Sequence, residues 1–228
     1  MSAASLTVLL PAGIPATESE KEGSLLRALE SATTDQDLTE ALWQLTCFYS
    51  TMDRSDLARQ LLKILLELSD NPERKAFWYL ALGRLAEQER NYSAAADYYV
   101  AGLSLEPKEQ GTAYLLRNNC GYCLNAQQRY ADAEQFLRGA IEIDSRPPNA
   151  YKNFGISRYG QGDIVGAAWA WVEATKINPS DSRAFELLKQ AAANHPNLLK
   201  EQPWILTEVR SVSMTHNSKD SRRHRGDN

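Results

Sequence analysis

Cysteine and histidine are scarce in this chain, three of each in 228 residues, and the scarcity removes whole classes of chemistry. Cys47, Cys120 and Cys123 are too few, and odd in number, for a disulfide framework. A reducing compartment, the cytoplasm, is the expected location. His195, His216 and His224 all fall at or beyond position 195, so a buried histidine general base is not expected. The sequence contains no H-E-x-x-H, no Gly-rich phosphate loop and no G-x-S-x-G elbow. Carboxylate pairs such as Glu106 and Glu109 stand in a polar loop, where solvated charge is the simpler reading. The expectation is therefore a non-enzyme with no catalytic residue, no metal, no cofactor and no small-molecule substrate.

Basic excess and long apolar runs are missing too. A formal net charge of -4 offers nothing for a phosphate backbone to recognise, so nucleic acid is not the expected partner. No stretch approaches the roughly 20 apolar residues of a membrane helix. Residues 6–10 form a short apolar run, but no Lys or Arg precedes Lys21, and Pro11 and Pro15 break the segment directly after it. That is not the pattern of a secretory signal. With 43% hydrophobic residues the chain can nonetheless bury a substantial core without staples.

The sequence does contain an internal repeat. Gly83, Gly121 and Gly155 are each succeeded 12 residues on by an alanine, Ala95, Ala133 or Ala167. Four residues later stands a large apolar side chain, Tyr99, Leu137 or Trp171, and eight after that Pro107, Ser145 or Pro179. The glycines are 38 and then 34 apart, and the four extra residues fall in the loop 107–112. Insertions belong in loops.

These residues resemble the tetratricopeptide repeat, a 34-residue helix–turn–helix unit with the pattern W-x2-L-G-x2-Y, A-x3-F, P. Tyr79, Leu82, Gly83, Ala86, Ala95, Tyr99 and Pro107 fill its slots in one copy. Arg117, Cys120, Gly121, Leu124, Ala133, Leu137 and Ser145 fill them in the next, and Tyr151, Phe154, Gly155, Arg158, Ala167, Trp171 and Pro179 in the last. A degenerate copy precedes them, with Leu42, Leu45, Thr46, Tyr49, Ala58 and Leu62 at the same offsets. The resemblance implies an all-α helical-hairpin solenoid with an N-terminal helix and a C-terminal capping helix. Its parts are a flexible 1–17, an N-terminal helix segment over 18–38, with the helix itself around Glu18 to Glu30 opened by a Thr17/Glu20 capping box, and a degenerate repeat over 39–72. Full repeats occupy 76–109, 114–147 and 148–181, with capping helices over 182–212 and a disordered basic tail over 213–228.

Within that frame the C-G-Y-C at 120–123 has three readings: a redox dithiol, half a zinc site, or packing. Cys120 takes the Leu slot of a first helix, with no helix N-terminus to lower its pKa and no second C-x-x-C to complete a metal site. Packing is the reading adopted, with Cys120 in the core and Cys123 replaceable by serine at little cost.

At 100° per residue, the slots before the Leu, after the Gly and two before the W share the side of each first helix opposite the buried arc. Before the Leu lie Gln44, Ala81, Asn119 and Asn153; after the Gly, Cys47, Arg84, Tyr122 and Ile156; two before the W, Glu40, Phe77, Leu115, Asn149 and Arg183. Asn118 and Lys152 stand at the margin. Asparagine at one slot in successive repeats resembles the asparagine ladder of the O-linked N-acetylglucosamine transferase repeats and the clamp asparagine of heat-shock co-chaperones. The resemblance implies amides that pair with a peptide backbone, an amide being both donor and acceptor. Arg84, Lys152 and Arg183 would then select a carboxylate. The expected peptide-binding set is Arg84, Asn118, Asn119, Tyr122, Asn149, Lys152, Asn153 and Arg183. The expected function is a protein-interaction scaffold binding an extended peptide or client segment, the alternative being a specialised chaperone or assembly factor for one client subunit. Nothing in the sequence speaks to the oligomeric state.

Overall fold

The computed structural model describes residues 20–210. Helices occupy Glu20–Glu30 (α1), Asp35–Thr51 (α2), Ser55–Leu68 (α3), Pro72–Gln88 (α4), Tyr92–Leu103 (α5), Gln110–Ala126 (α6), Tyr130–Ile143 (α7), Pro148–Gly160 (α8), Ile164–Ile177 (α9), Ser182–Asn194 (α10) and Leu198–Glu201 (α11). Residues 204–210 are also helical. There is no strand among the described residues. The described residues divide into two compact units, the first ending at Thr112 and the second starting at Ala113. The first holds α1 to α5; the second holds nearly all of α6 and everything after it.

Each hairpin forms because its small slots let two helices touch. Ala58, Ala95, Ala133 and Ala167 are fully buried, and so are Leu62, Tyr99, Leu137 and Trp171 four residues along. The glycine of the first helix lies directly under that large side chain. A Cβ on Gly83 would stand 2.6 Å from Tyr99 Cδ1, one on Gly121 2.8 Å from Leu137 Cδ2, and one on Gly155 2.6 Å from Trp171 Cδ1, all inside van der Waals contact. The degenerate hairpin does without glycine. Its Thr46 is buried and turns its hydroxyl back onto the Leu42 carbonyl at 2.8 Å.

The turns repeat as faithfully. Seven residues after the Gly slot the backbone is left-handed in all four hairpins, at Asp53 (φ 58°), Arg90 (59°), Gln128 (60°) and Gly162 (84°). The next amide, that of Arg54, Asn91, Arg129 or Asp163, donates to the carbonyl of Tyr49, Ala86, Leu124 or Arg158, each at 2.9 Å. This six-to-one bond is the Schellman closure of a helix C-terminus. Its presence in α2–α3 shows that the degenerate copy has the same geometry despite Thr46.

The observed boundaries depart from the sequence reading in specific places. The helix expected around Glu18 to Glu30 does end at Glu30, and within the segment 18–38 a second helix, α2, starts at Asp35 because Thr34 caps it: its hydroxyl accepts from the Asp37 amide at 3.1 Å and the Asp37 carboxylate accepts from the Thr34 amide. A capping box operates at Thr34; Thr17, with the rest of 1–17, and the whole tail 213–228 lie outside the described residues. First helices α2, α4 and α6 begin four residues before the expected repeat starts of 39, 76 and 114, a turn set for α4 by the Asn71 cap and Pro72. Cys123 is as fully buried as Cys120, so the expectation that serine is harmless at position 123 is overturned. The buried arc of this 17-residue helix is wide enough to take in both thiols.

In the second unit, α10 covers the end of the last hairpin. Ala184, Leu188 and Ala191 pack with Trp171, Val172 and Ala174, and Leu198 and Ile205 complete the cluster. In the first unit α1 packs on α2, where the buried Glu22 carboxylate accepts from the Tyr49 hydroxyl at 2.9 Å and pairs with Arg54 at 3.3 Å. Burial, reinforced by the Glu22 hydrogen bond, pushes the Tyr49 phenol up to about 12.

Gly121→Ala is expected to destabilise the protein by about 1–3 kcal/mol through overpacking. Urea denaturation of Gly121→Ala, Leu137→Ala and the double variant checks the cause, because space vacated by Leu137 should make the double variant less damaged than the sum of the two.

Candidate functional site

In the second unit the first helices α6, α8 and α10 present successive faces. The residue that governs each contact is the one immediately after the W slot, since it points along the stack at the next first helix. On α6 this is Asn118, almost fully buried. Its amide nitrogen donates to Asn119 Oδ1 at 3.0 Å, and its Oδ1 accepts from the Asn153 amide on α8 at 3.1 Å. Nearly two helical turns further on, buried Asn125 donates to the Asn153 carbonyl at 2.8 Å and accepts from the Ser157 hydroxyl at 2.9 Å. Asn153 is thus held through both its side chain and its backbone.

This network decides what is left for a ligand. Asn118 is consumed as a strut. Asn119 and Asn153 are half-buried and edge the exposed face, and among the described residues neither the Asn119 amide nitrogen nor the Asn153 side-chain oxygen has a hydrogen-bond partner. A buried network in which each member is satisfied holds such groups in place. Around them stand Leu115 and Tyr122, 41% and 37% exposed, exposed Asn149 and half-buried Ile156. The face is a fixed amide pair within an apolar and aromatic border.

Lys152 departs from the sequence expectation. At the same slot as Asn118, it is 6% exposed and ion-paired with Asp181. Its ammonium is already paired with an internal carboxylate, so it does not stand as the open cation the sequence led one to expect. Arg183 is exposed but engages the same carboxylate through two bonds of 2.9 and 2.8 Å. The Arg183 guanidinium first, and then Lys152, hold the Asp181 carboxyl well below its ordinary value. Asp181 also accepts from the Arg183 amide as the cap of α10. These two cations therefore anchor α10 instead of standing open to a ligand.

Arg84 belongs to the first unit. There the slot after the W is Trp43, whose ring meets Phe77 of α4 at 5.0 Å between centroids and 64° between planes. Sequence reasoning placed Phe77 on this wall but missed Trp43, which stands beside Leu42 and reads as one more apolar residue. The signal that could have found it is its offset, shared with Asn118 and Lys152. A 350 Å³ pocket between α2 and α4 begins at these two rings and is lined further by Cys47, Leu62, Ala81, Arg84 and Gln88. Burial, with Glu40 nearby, pushes the Cys47 thiol up, which keeps it a thiol at neutral pH. No group of His, Cys, Asp or Glu among the described residues is arranged to hold a metal ion, and no described helix is long and apolar enough to cross a membrane.

No protein-family model matches the chain. Among curated proteins it is similar to the photosystem I assembly protein Ycf3 of Rippkaea orientalis, with 27% identity over 157 residues, covering 68% of this chain and 87% of that protein. The protein of that name from Cuscuta gronovii is 27% identical over 164 residues, covering 69% and 90%. Among solved structures the chain is similar to MamA, from position 41 to its end, of Desulfovibrio magneticus RS-1, with a TM-score of 0.61, 15% identity and coverage of 80% and 97%. The fold is all-α, a tetratricopeptide-type stack of helical hairpins.

Asp181→Ala is expected to cost about 3 kcal/mol, because it leaves the buried Lys152 ammonium unpaired, whereas Arg183→Ala costs under about 1 kcal/mol, as exposed pairs do. Urea midpoints at pH 7 compare the two. The Asp181 contribution is complete above its ordinary value of 3.8 and is lost as the pH falls below it, so the difference between wild type and Asp181→Ala should narrow in strong acid.

Proposed function

We propose that this protein is an interaction scaffold whose second unit binds an extended peptide or client segment across α6 and α8. The observation that supports this most directly is the pre-set amide pair: Asn119 and Asn153, fixed from behind by Asn118, offer one donor and one acceptor at an exposed face. That is the complement of a peptide group, and it accepts any sequence whose side chains suit Leu115, Tyr122 and Ile156. A fixed array also lowers the ordering cost of binding.

An assembly-factor role is favoured by a different observation. The first unit exposes Phe77 to 41% beside half-buried Trp43, an uncovered aromatic surface of the kind that shields an apolar client segment, and the curated relatives are named as assembly proteins. The two roles differ in selectivity: a scaffold takes several partners, an assembly factor one client subunit. Under either, the protein acts by holding a chain and not by catalysis, and its expected workplace is the cytoplasm.

Asn119→Ala combined with Asn153→Ala is expected to weaken binding of a captured partner segment by roughly 2–4 kcal/mol, at 1–2 per lost hydrogen-bonding group, with circular dichroism unchanged. Calorimetric titration of the synthetic segment reads the affinity; an unaltered value would remove the amide face from the binding site. Affinity capture of the intact protein with mass spectrometry separates the roles, a single dominant subunit meaning assembly factor.

A further inference from the structure

At one outward slot of the second helices, three hairpins are polar and the fourth is aromatic. Two positions after the alanine slot stand Gln60 on α3, Asp97 on α5 and Gln135 on α7, all exposed; on α9 the residue is Trp169, 44% exposed. Four positions earlier, Asp56, Ser93 and Ala131 give way to exposed Val165. Val165 and Trp169 are neighbours on one helix face, so the apolar exposure is a patch and not a single residue.

Beside Trp169 lies a 350 Å³ cleft between α7 and α9, lined also by Ile141 and Glu142 of α7 and by Phe154 of α8. Its cations are already engaged. Arg138 bonds the Glu134 carboxylate at 2.8 Å and lies 5.5 Å from the Phe154 ring centroid. Arg158 bonds the same carboxylate at 3.0 Å, pairs with Asp163 and lies 4.9 Å from that centroid. Glu142 is different: it is exposed and enters no ion pair among the described residues. Two guanidinium groups thus answer to three carboxylates, Glu134, Asp163 and Glu142. The spare negative charge shares the cleft with Trp169, whose ring Tyr151 and Phe154 meet at 66° and 81° and which no described cation covers.

We infer that this cleft is a second binding site, for a partner protein segment that lays an arginine side chain against Trp169 and pairs its guanidinium with Glu142. Charge complementarity selects a cation. The indole selects guanidinium over ammonium, because a planar, weakly hydrated group stacks on a ring while its fork of donors meets a carboxylate. The methylene stem of that side chain suits Ile141 and Phe154, and an apolar neighbour in the segment covers Val165. The protein makes the same kind of contact internally, with Arg138 and Arg158 over Phe154. The site shares no residue with the Asn119–Asn153 face, and the inference does not rest on that reading.

The test uses the intact protein and fluorescein-labelled, terminally blocked heptapeptides of Ser and Gly carrying one Leu and, on either side of it, Arg, Lys, Gln or Glu. Fluorescence polarisation should rank Arg above Lys and Lys above Gln, with Arg favoured over Gln about tenfold and Glu weakest. Glu142→Gln, a change at an exposed position, should remove most of the preference for Arg over Gln. Trp169→Gln, which gives α9 the residue that α3 and α7 carry at this slot, should weaken the Arg peptides about tenfold with circular dichroism unchanged. Asn119→Ala with Asn153→Ala should alter none of these affinities. Equal binding of Arg and Gln peptides, an Arg preference surviving Glu142→Gln, affinity unaltered by Trp169→Gln, or no binding below about 1 mM would each overturn the proposal. Two other occupants would overturn it as well: a second copy, if sedimentation velocity shows a dimer that Trp169→Gln dissociates, and the chain's own basic stretch, if Arg222→Gln, Arg223→Gln and Arg225→Gln together raise the peptide affinity. Failure of the amide face alone would leave the Arg peptides bound as before.

Discussion

The close approach of two helices within each hairpin is the constraint on which the rest depends. Gly83, Gly121 and Gly155 have no side chain because Tyr99, Leu137 and Trp171 occupy that space. Once those pairs are seated, the rotation of each first helix is fixed, and with it the identity of every residue on its outer side. The left-handed residue and six-to-one bond that close each first helix recur at the same offset in every copy. Asp53, Arg90 and Gln128 accept an unfavourable φ at that turn without being glycine, which indicates that the packing beneath outweighs a local cost on the order of 1 kcal/mol.

A fixed phase turns one slot into a selector. The residue after the W slot meets the next first helix, and its side chain sets the character of that seam: an aromatic pair at Trp43, an amide chain at Asn118, a buried ion pair at Lys152. A common scaffold can carry different surfaces in its two units this way. The aromatic seam adjoins a pocket that both rings help to line. Across the amide seam Asn153 donates directly to Asn118, which in turn donates to Asn119. At Lys152 the charge is internalised and the slot becomes structural.

Much of this was legible from spacing alone. The repeated intervals located the hairpins, the glycine contacts and the buried alanines, and the 100° rotation placed Asn119, Tyr122, Asn153, Cys47, Phe77 and Arg84 on outer faces. Where the structure departs from that reading, partners distant in sequence are responsible. Lys152 looked available because Asp181 is 29 positions away; Arg183 looked available because its duty to Asp181 depends on how α10 seats. Cys123 looked dispensable because a single helix gives no measure of how far its neighbours wrap around it. The turn residues carried no glycine signal in three hairpins of four.

The sequence by itself determined the helical hairpin and its phase, because periodicity and the placement of small residues act locally along the chain: an alanine 12 residues after a glycine fixes a contact whatever else is present. Tertiary structure alone decided which exposed-looking groups remain available. Whether a cation is spent internally, whether an amide is a strut or a reader, and whether an aromatic residue lines a pocket all depend on what the next helix brings within about 3 Å for a hydrogen bond or 5 Å for a ring. Those neighbours come from other segments, and only the packed chain puts Asp181 against Lys152, Asn153 against Asn118 and Phe77 against Trp43.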